Sequence, residues 1–137
     1  MVTIPLLPAR LARSGDPYDH QAKETAHLVA TRAGLPDDVW SWSYQSAGRS
    51  DEAWLGPSLR EHLASLADRR IGDVLVVPVG FVSDHVELLF DVDIDARRLA
   101  GELGMRLERP PALNDHAGFV LQLADLIERR AAGARWI

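Results

Sequence analysis

The sequence predicts an α/β domain built on a four-stranded parallel sheet with helices on both faces. Apolar, strand-like runs alternate with helical periodicity in four successive β–α pairs. That order gives a parallel sheet joined by right-handed crossovers. The run Val74-Leu75-Val76-Val77-Pro78-Val79 is continuously apolar, as strands buried on both faces are. The chain has 137 residues, 47% of them hydrophobic and 26% charged, which suits one ordinary globular core. Residues 1–137 therefore read as a single domain, with 131–137 as a tail.

The elements follow in order. Val2 to Leu7 is a first strand interrupted by Pro5, and Ser14-Gly15 is a turn. Asp16 reads as an N-cap with Pro17 at the first helical position. The helix behind it carries Leu28 and Val29 as its apolar residues and stops at Gly34. Val39 to Tyr44 alternates apolar and small polar residues, a strand signature. Ser58 and Glu61 form a capping-box pattern, and Leu59, Leu63 and Leu66 are the apolar stripe of the helix that follows. After the Val74–Val79 strand, Asp84 to Leu103 has helical character, with Leu89, Phe90, Leu99 and Leu103 as core candidates. Gly104 ends that helix, Met105 to Glu108 is a short strand, and the last helix is expected to bury Phe119, Leu123, Leu126 and Ile127. Ligands of open parallel sheets bind at the carboxyl ends of the strands. Here those ends are the loops 8–15, 45–57, 80–84 and 109–114.

Composition excludes several function classes. The formal net charge is −5, whereas a nucleic-acid partner needs a basic stripe. With no cysteine in the chain, disulfides, thiolate metal sites, iron–sulfur clusters and cysteine nucleophiles are excluded. No apolar run reaches the roughly 20 residues of a membrane span, and Met1 to Pro8 lacks the basic region of a signal peptide. A soluble cytoplasmic protein is expected. Neither a G-x-G-x-x-G nor a Walker A fingerprint is present, and G-x-S-x-G is missing.

The densest cluster of reactive side chains is Gly80-Phe81-Val82-Ser83-Asp84-His85-Val86-Glu87, directly beyond the most buried strand. Glu87, Asp91 and Asp95 then follow at four-residue spacing, with Asp93 between them. On a helix the first three lie in one row, where like charges repel. One reading is a path for protons or a divalent cation. The other is a helix N-terminus whose acids complement the macrodipole. His20, His27, His62 and His116 stand singly and read as solvated surface. Trp54, in the loop after the Trp-rich strand, is either a stacking partner for a flat ligand or a loop anchor.

Val76 to Asp91, which contains the Gly80–Glu87 cluster, resembles the ferrochelatase signature. Gly15-Asp16-Pro17-Tyr18 with Gln21, Tyr44-Gln45-Ser46, Trp54-Leu55-Gly56-Pro57 and Pro111-Ala112-Leu113-Asn114-Asp115 match the same family in order. The resemblance covers roughly residues 6–130 and is to the C-terminal half of the family. It implies a Rossmann-like chelatase domain that inserts ferrous iron into a porphyrin held between two similar α/β domains. Glu87 matches the family glutamate facing the macrocycle centre, and Asp84 and His85 match the residues that help hold that site. Asp91 and Asp95 fall on an acidic ladder that relays protons or binds a divalent ion, along a helix with a wider, π-type turn. Ser83 and Trp54 match positions that shape the cleft. Catalytic roles are thereby expected of Glu87 and His85, and metal-handling roles of Glu87, Asp91 and Asp95.

The resemblance further implies that porphyrin and iron are substrates, with no bound cofactor. Spacing between Gln45-Ser46 and Trp54 resembles that of Gram-positive, coproporphyrin-using members. Two departures stand out. A full member is more than twice this length, so the partner is either a missing N-terminal half or a second copy in a homodimer. The family histidine falls on Pro5, which has no titratable side chain. A second reading of the chain is therefore a truncated or degenerate domain that binds tetrapyrrole or a partner chain without catalysis.

Overall fold

The computed structural model describes residues 1–5, 8–45 and 53–133. Strand β1 (Val2–Pro5) leads to a short helix α1 (Ala9–Arg13), a long helix α2 (Tyr18–Arg32) and strand β2 (Trp42–Gln45). Helix α3 (Leu59–Asp68) and strands β3 (Asp73–Leu75) and β4 (Val77–Pro78) come next. A composite helix then opens as α4 (Val86–Leu88), widens into a π-helix over Leu89–Ala96 and closes as α5 (Arg97–Glu102). Strand β5 (Arg106–Glu108) and helix α6 (Ala117–Ala132) complete the order. Helix α1 lies in a segment read from sequence as loop, and residues 46–52 of the 45–57 loop fall outside the described residues.

All strand pairs are parallel, but the four expected strands do not form one sheet. Instead there is a three-stranded sheet, β2-β1-β4, and a two-stranded sheet, β3-β5. The division arises within the single apolar run at 73–78. Val74 pairs with Leu107 of β5, whereas Val77 pairs with Val2 of β1. At the switch the Val76 N–H donates to the Glu108 carbonyl at 2.7 Å, and the Val77 N–H donates to the Met1 carbonyl at 3.0 Å. Successive backbone groups of a strand point to opposite sides, so one segment can serve two neighbours in turn. Pro78 has no N–H to extend the β4 ladder.

Local chemistry sets the helix boundaries. The Asp16 carboxylate accepts from the Tyr18 N–H at 2.9 Å at the start of α2. Ser58 and Glu61 form the full reciprocal capping box of α3, which satisfies two otherwise orphaned donors. Gly34 and Gly104 adopt φ of +69° and +75°, left-handed geometry that favours glycine after a helix.

The main core joins Leu59, Leu63 and Leu66 of α3 to Val74, Val76, Met105 and Leu107 of the β3–β5 region. The composite helix contributes Leu88, Val92, Ala96 and Ala100. Helices cover both faces of the three-stranded sheet. His62 of α3 meets Ser41 next to β2, while Asp19 and Lys23 of α2 meet the alternate side chains Tyr44 and Trp42.

Three core expectations are corrected. Helix α2 buries the small residues Ala26 and Ala30 and leaves Leu28 and Val29 exposed, because the alanine row lets the helix approach its neighbours closely. The composite helix buries Leu88 and Val92, whereas Leu89, Phe90 and Leu103 are exposed and Leu99 is partly buried. The π segment that the family resemblance implies is present over Leu89–Ala96, and its wider turn changes which row faces inward. Helix α6 has no buried residue, and Leu123, Leu126 and Ile127 are all exposed. Its apolar face is real in sequence, but nothing in the described chain covers it.

Candidate active site

The site is organised by the register of the composite helix. Every fourth residue of an ideal α-helix drifts by about 40° around the axis, so a strict four-residue row spirals away from its partner surface. The wider turn of a π-helix reduces that drift. Leu88, Val92, Ala96 and Ala100, four residues apart, therefore stay on one inward line. Glu87, Asp91 and Asp95 each precede a member of that line by one residue. The acids form a second row beside the buried one, at the boundary between core and solvent.

This row opens onto a concavity. Asp91 and Asp95 line a cavity of about 310 Å³ together with Tyr44, Gln45, Ser58 and Arg60. Asp95 is paired with Arg98 at 2.7 Å and with Arg60 at 3.1 Å. The Arg98 hydrogen bond first, and the Arg60 charge after it, hold its carboxyl below the usual carboxylate range. Glu87 is exposed at the head of the row and has no hydrogen-bond or ion-pair partner among the described residues. The three acids occupy successive turns and do not converge: among the described residues no group of three or more His, Asp or Glu is placed to hold a metal ion together. Among the described residues the row does not form a chelating cage.

His85 precedes α4 in extended conformation, with φ −152° and ψ 169°. That backbone departs from helical geometry at the position where two-residue spacing would otherwise turn His85 and Glu87 apart. The His85 ring meets Phe81 edge-on with centroids 4.1 Å apart. Its Nε2 is buried without a hydrogen-bond partner among the described residues. Ser83 is exposed and Asp84 half-buried. Trp54 is half-buried, bridges to Pro8 through its backbone, and likewise has a buried, unpartnered ring N–H. Of the other histidines, His62 is not solvated surface: it is half-buried with Nε2 2.8 Å from the Ser41 hydroxyl. His116 is exposed, and its Nδ1 accepts from the Gly118 N–H at the start of α6.

One residue of the site carried no signal in the sequence. Arg109 follows β5 directly, and its side chain is only 7% exposed. It grips Asp93 with two parallel bonds, Nε to Oδ1 at 2.8 Å and an Nη to Oδ2 at 2.7 Å. Its other Nη donates to Asp84 at 2.8 Å and to the Pro110 carbonyl at 3.1 Å. The second Asp84 oxygen accepts from the Asn114 amide at 2.9 Å, and the Asp84 N–H donates back to Asn114 at 2.9 Å. Asn114 first, then Arg109, keeps the Asp84 carboxyl below its ordinary range, and Arg109 does the same for Asp93. Beside this bracket lies an apolar cavity of about 440 Å³ lined by Pro78, Val79, Phe81, Val82, Pro111 and Leu113. Among the described residues no helix is long and apolar enough to cross a membrane.

Comparison with known proteins shows the family. The ferrochelatase family model matches residues 6–131. A ferrochelatase of Deinococcus radiodurans is 60% identical over 126 residues, covering 92% of this chain and 40% of that protein. A ferrochelatase of Thermus thermophilus is 41% identical over 122 residues, covering 89% of this chain and 38% of its own. A coproporphyrin III ferrochelatase of Anoxybacillus flavithermus is 41% identical over 122 residues, with coverage of 88% and 38%. The chain thus spans about two-fifths of the length of the relatives it matches. With nine-tenths of its residues inside those alignments, the chain belongs to the ferrochelatase family.

Proposed function

We propose that this chain is the C-terminal, iron-handling half of a cytoplasmic ferrochelatase, and that it acts on a porphyrin together with a second α/β unit. The observation that carries the reading is the Glu87 row. It begins with a carboxylate that has no partner among the described residues and ends in a cavity lined by Asp91 and Asp95.

Metallation removes two pyrrole protons and strips water from iron. Glu87 at the head of the row is the proton acceptor, since an exposed carboxylate with no partner among the described residues can serve as a general base. Asp91 and Asp95, one and two turns on, offer oxygen ligands that exchange with water as hydrated iron approaches, or that carry the protons away. His85, with an unpartnered ring nitrogen, supplies the nearby imidazole; Pro5 stands where the family histidine falls. Asp84 shapes the loop, and Ser83 and Trp54 border the cleft. Spacing around Trp54, and the relatives whose names specify coproporphyrin III, favour coproporphyrin over protoporphyrin IX. A second α/β unit, either an N-terminal half or another copy of this chain, is supported by α6, which buries none of its apolar side chains.

The test is anaerobic iron insertion followed at the Soret band, by the chain alone and with the N-terminal half of a ferrochelatase added, with coproporphyrin III and protoporphyrin IX in parallel and with Glu87→Gln as the comparison. Iron-dependent haem formation that Glu87→Gln abolishes is the expected result. If the wild-type chain forms no haem yet its tryptophan fluorescence is quenched by porphyrin, it is a binding domain without catalysis; with neither signal the proposal fails.

A further inference from the structure

We propose that Arg109 is a positioning residue for this site, tying the loop before the composite helix to the helix itself through Asp84 and Asp93. The inference rests on the iron-insertion reading for its purpose, but its geometry stands apart from it. Five carboxylates, Asp84, Glu87, Asp91, Asp93 and Asp95, fall within twelve residues. Arg109 takes two of them, Asp84 and Asp93, through three bonds of 2.7–2.8 Å. Neither belongs to the Glu87–Asp91–Asp95 row.

Because Asp84 precedes the composite helix and Asp93 lies inside its π segment, the guanidinium fixes the 83–85 loop against that helix. Asn114 locks the same segment from the other side: its N–H donates to the Val82 carbonyl at 2.8 Å, and its side chain exchanges two bonds with Asp84. It does so in a left-handed conformation, φ +46°, uncommon for a residue other than glycine. The bracket therefore sets where His85 leaves the loop and where Glu87 enters the helix. It touches neither side chain. A planar fork is needed to reach Asp93 bidentately and Asp84 at once, and lysine cannot reproduce it.

The test uses the whole 137-residue chain as Arg109→Lys and Asp93→Asn, with Leu63→Ala as a core control. Two readouts are taken at a temperature where circular dichroism shows each variant folded. The first is the NMR position of the His85 ring protons, set in the wild type by the Phe81 ring 4.1 Å away. The second is kcat and KM for iron insertion. Arg109→Lys and Asp93→Asn should move the His85 resonances towards those of a free imidazole and lower kcat by about 10²-fold with KM unchanged, the scale of a small misplacement of reacting groups. Leu63→Ala should lower the unfolding midpoint and leave the His85 resonances in place. Folded Arg109 and Asp93 variants with wild-type His85 resonances overturn the inference. If the wild type inserts no iron, the functional reading falls, and the resonances still decide the positioning role.

Discussion

Replacing two adjacent leucines, Leu88 and Leu89, tests the register on which the whole site depends. Leu88 is 1% exposed and packed in the main core, whereas Leu89 is 43% exposed. Truncating a fully buried leucine to alanine removes its transfer free energy and leaves a cavity, a loss of about 2–5 kcal/mol. Leu88 meets α3 and β3–β5 residues that are themselves fixed, so little collapse is available, and about 3 kcal/mol is expected. Leu89→Ala gives up only part of a transfer term and opens no cavity, so its cost is at most about 1 kcal/mol. With a urea m-value of about 1.5 kcal/mol/M for a domain of this size, the midpoints should fall by about 2 M and by less than about 0.7 M respectively. Urea unfolding followed by circular dichroism reads both. The acid row is offset from the buried row by one residue, so equal losses, or a larger loss at Leu89, would refute the register and with it the alignment of Glu87, Asp91 and Asp95.

Two further outcomes are expected. Ser58→Ala removes the side-chain acceptor of the α3 capping box and should cost about 1 kcal/mol, a drop of about 4 °C in the thermal midpoint. His62 has its pKa lowered, chiefly by burial and then by the nearby N-terminal ammonium and Arg69. The unfolded chain therefore takes up this proton first as pH falls, so the contribution is intact above about pH 6.5 and is lost below it. Wild-type thermal midpoints should decline from pH 7 to pH 5.5 with a component that His62→Gln lacks.

What the sequence discloses about this fold is local. The Ser58/Glu61 box, the stop at Gly34 and the buried Leu59–Leu63–Leu66 stripe all depend on neighbours a few residues away, and all are present. Features that failed depend on distant partners. Leu28 and Val29 are apolar, but which row of α2 faces the sheet is decided by Trp42 and Tyr44, more than ten residues on. The apolar spacing of α6 is a true amphipathic signal, but a sequence cannot say whether the covering surface lies in the same chain. Arg109 is a single cation in a loop with no periodicity at all; its acceptors stand 16 and 25 residues earlier. The π register did leave a trace. Leu88, Val92, Ala96 and Ala100 repeat every four residues without the three-residue steps that keep an α-helical stripe aligned. A strict period of four beside an acid row of the same period is the pattern that could have identified it.

The same spacing limits how far the helix macrodipole can account for the acids. A helix N-terminus favours negative charge only within about its first turn, and Glu87 is the only member of the row in the first turn of α4. Asp91 and Asp95 lie one and two turns further in, beyond the reach of that field. There, like charges four residues apart cost about 0.2–0.5 kcal/mol per pair. Macrodipole complementarity can thus account for one acid of three. Asp95 recovers part of the like-charge cost from Arg98 and Arg60, but both pairs are largely exposed, and exposed pairs contribute little. Two of the three acids thus stand where the helix field does not favour them, and those two, Asp91 and Asp95, line the cavity.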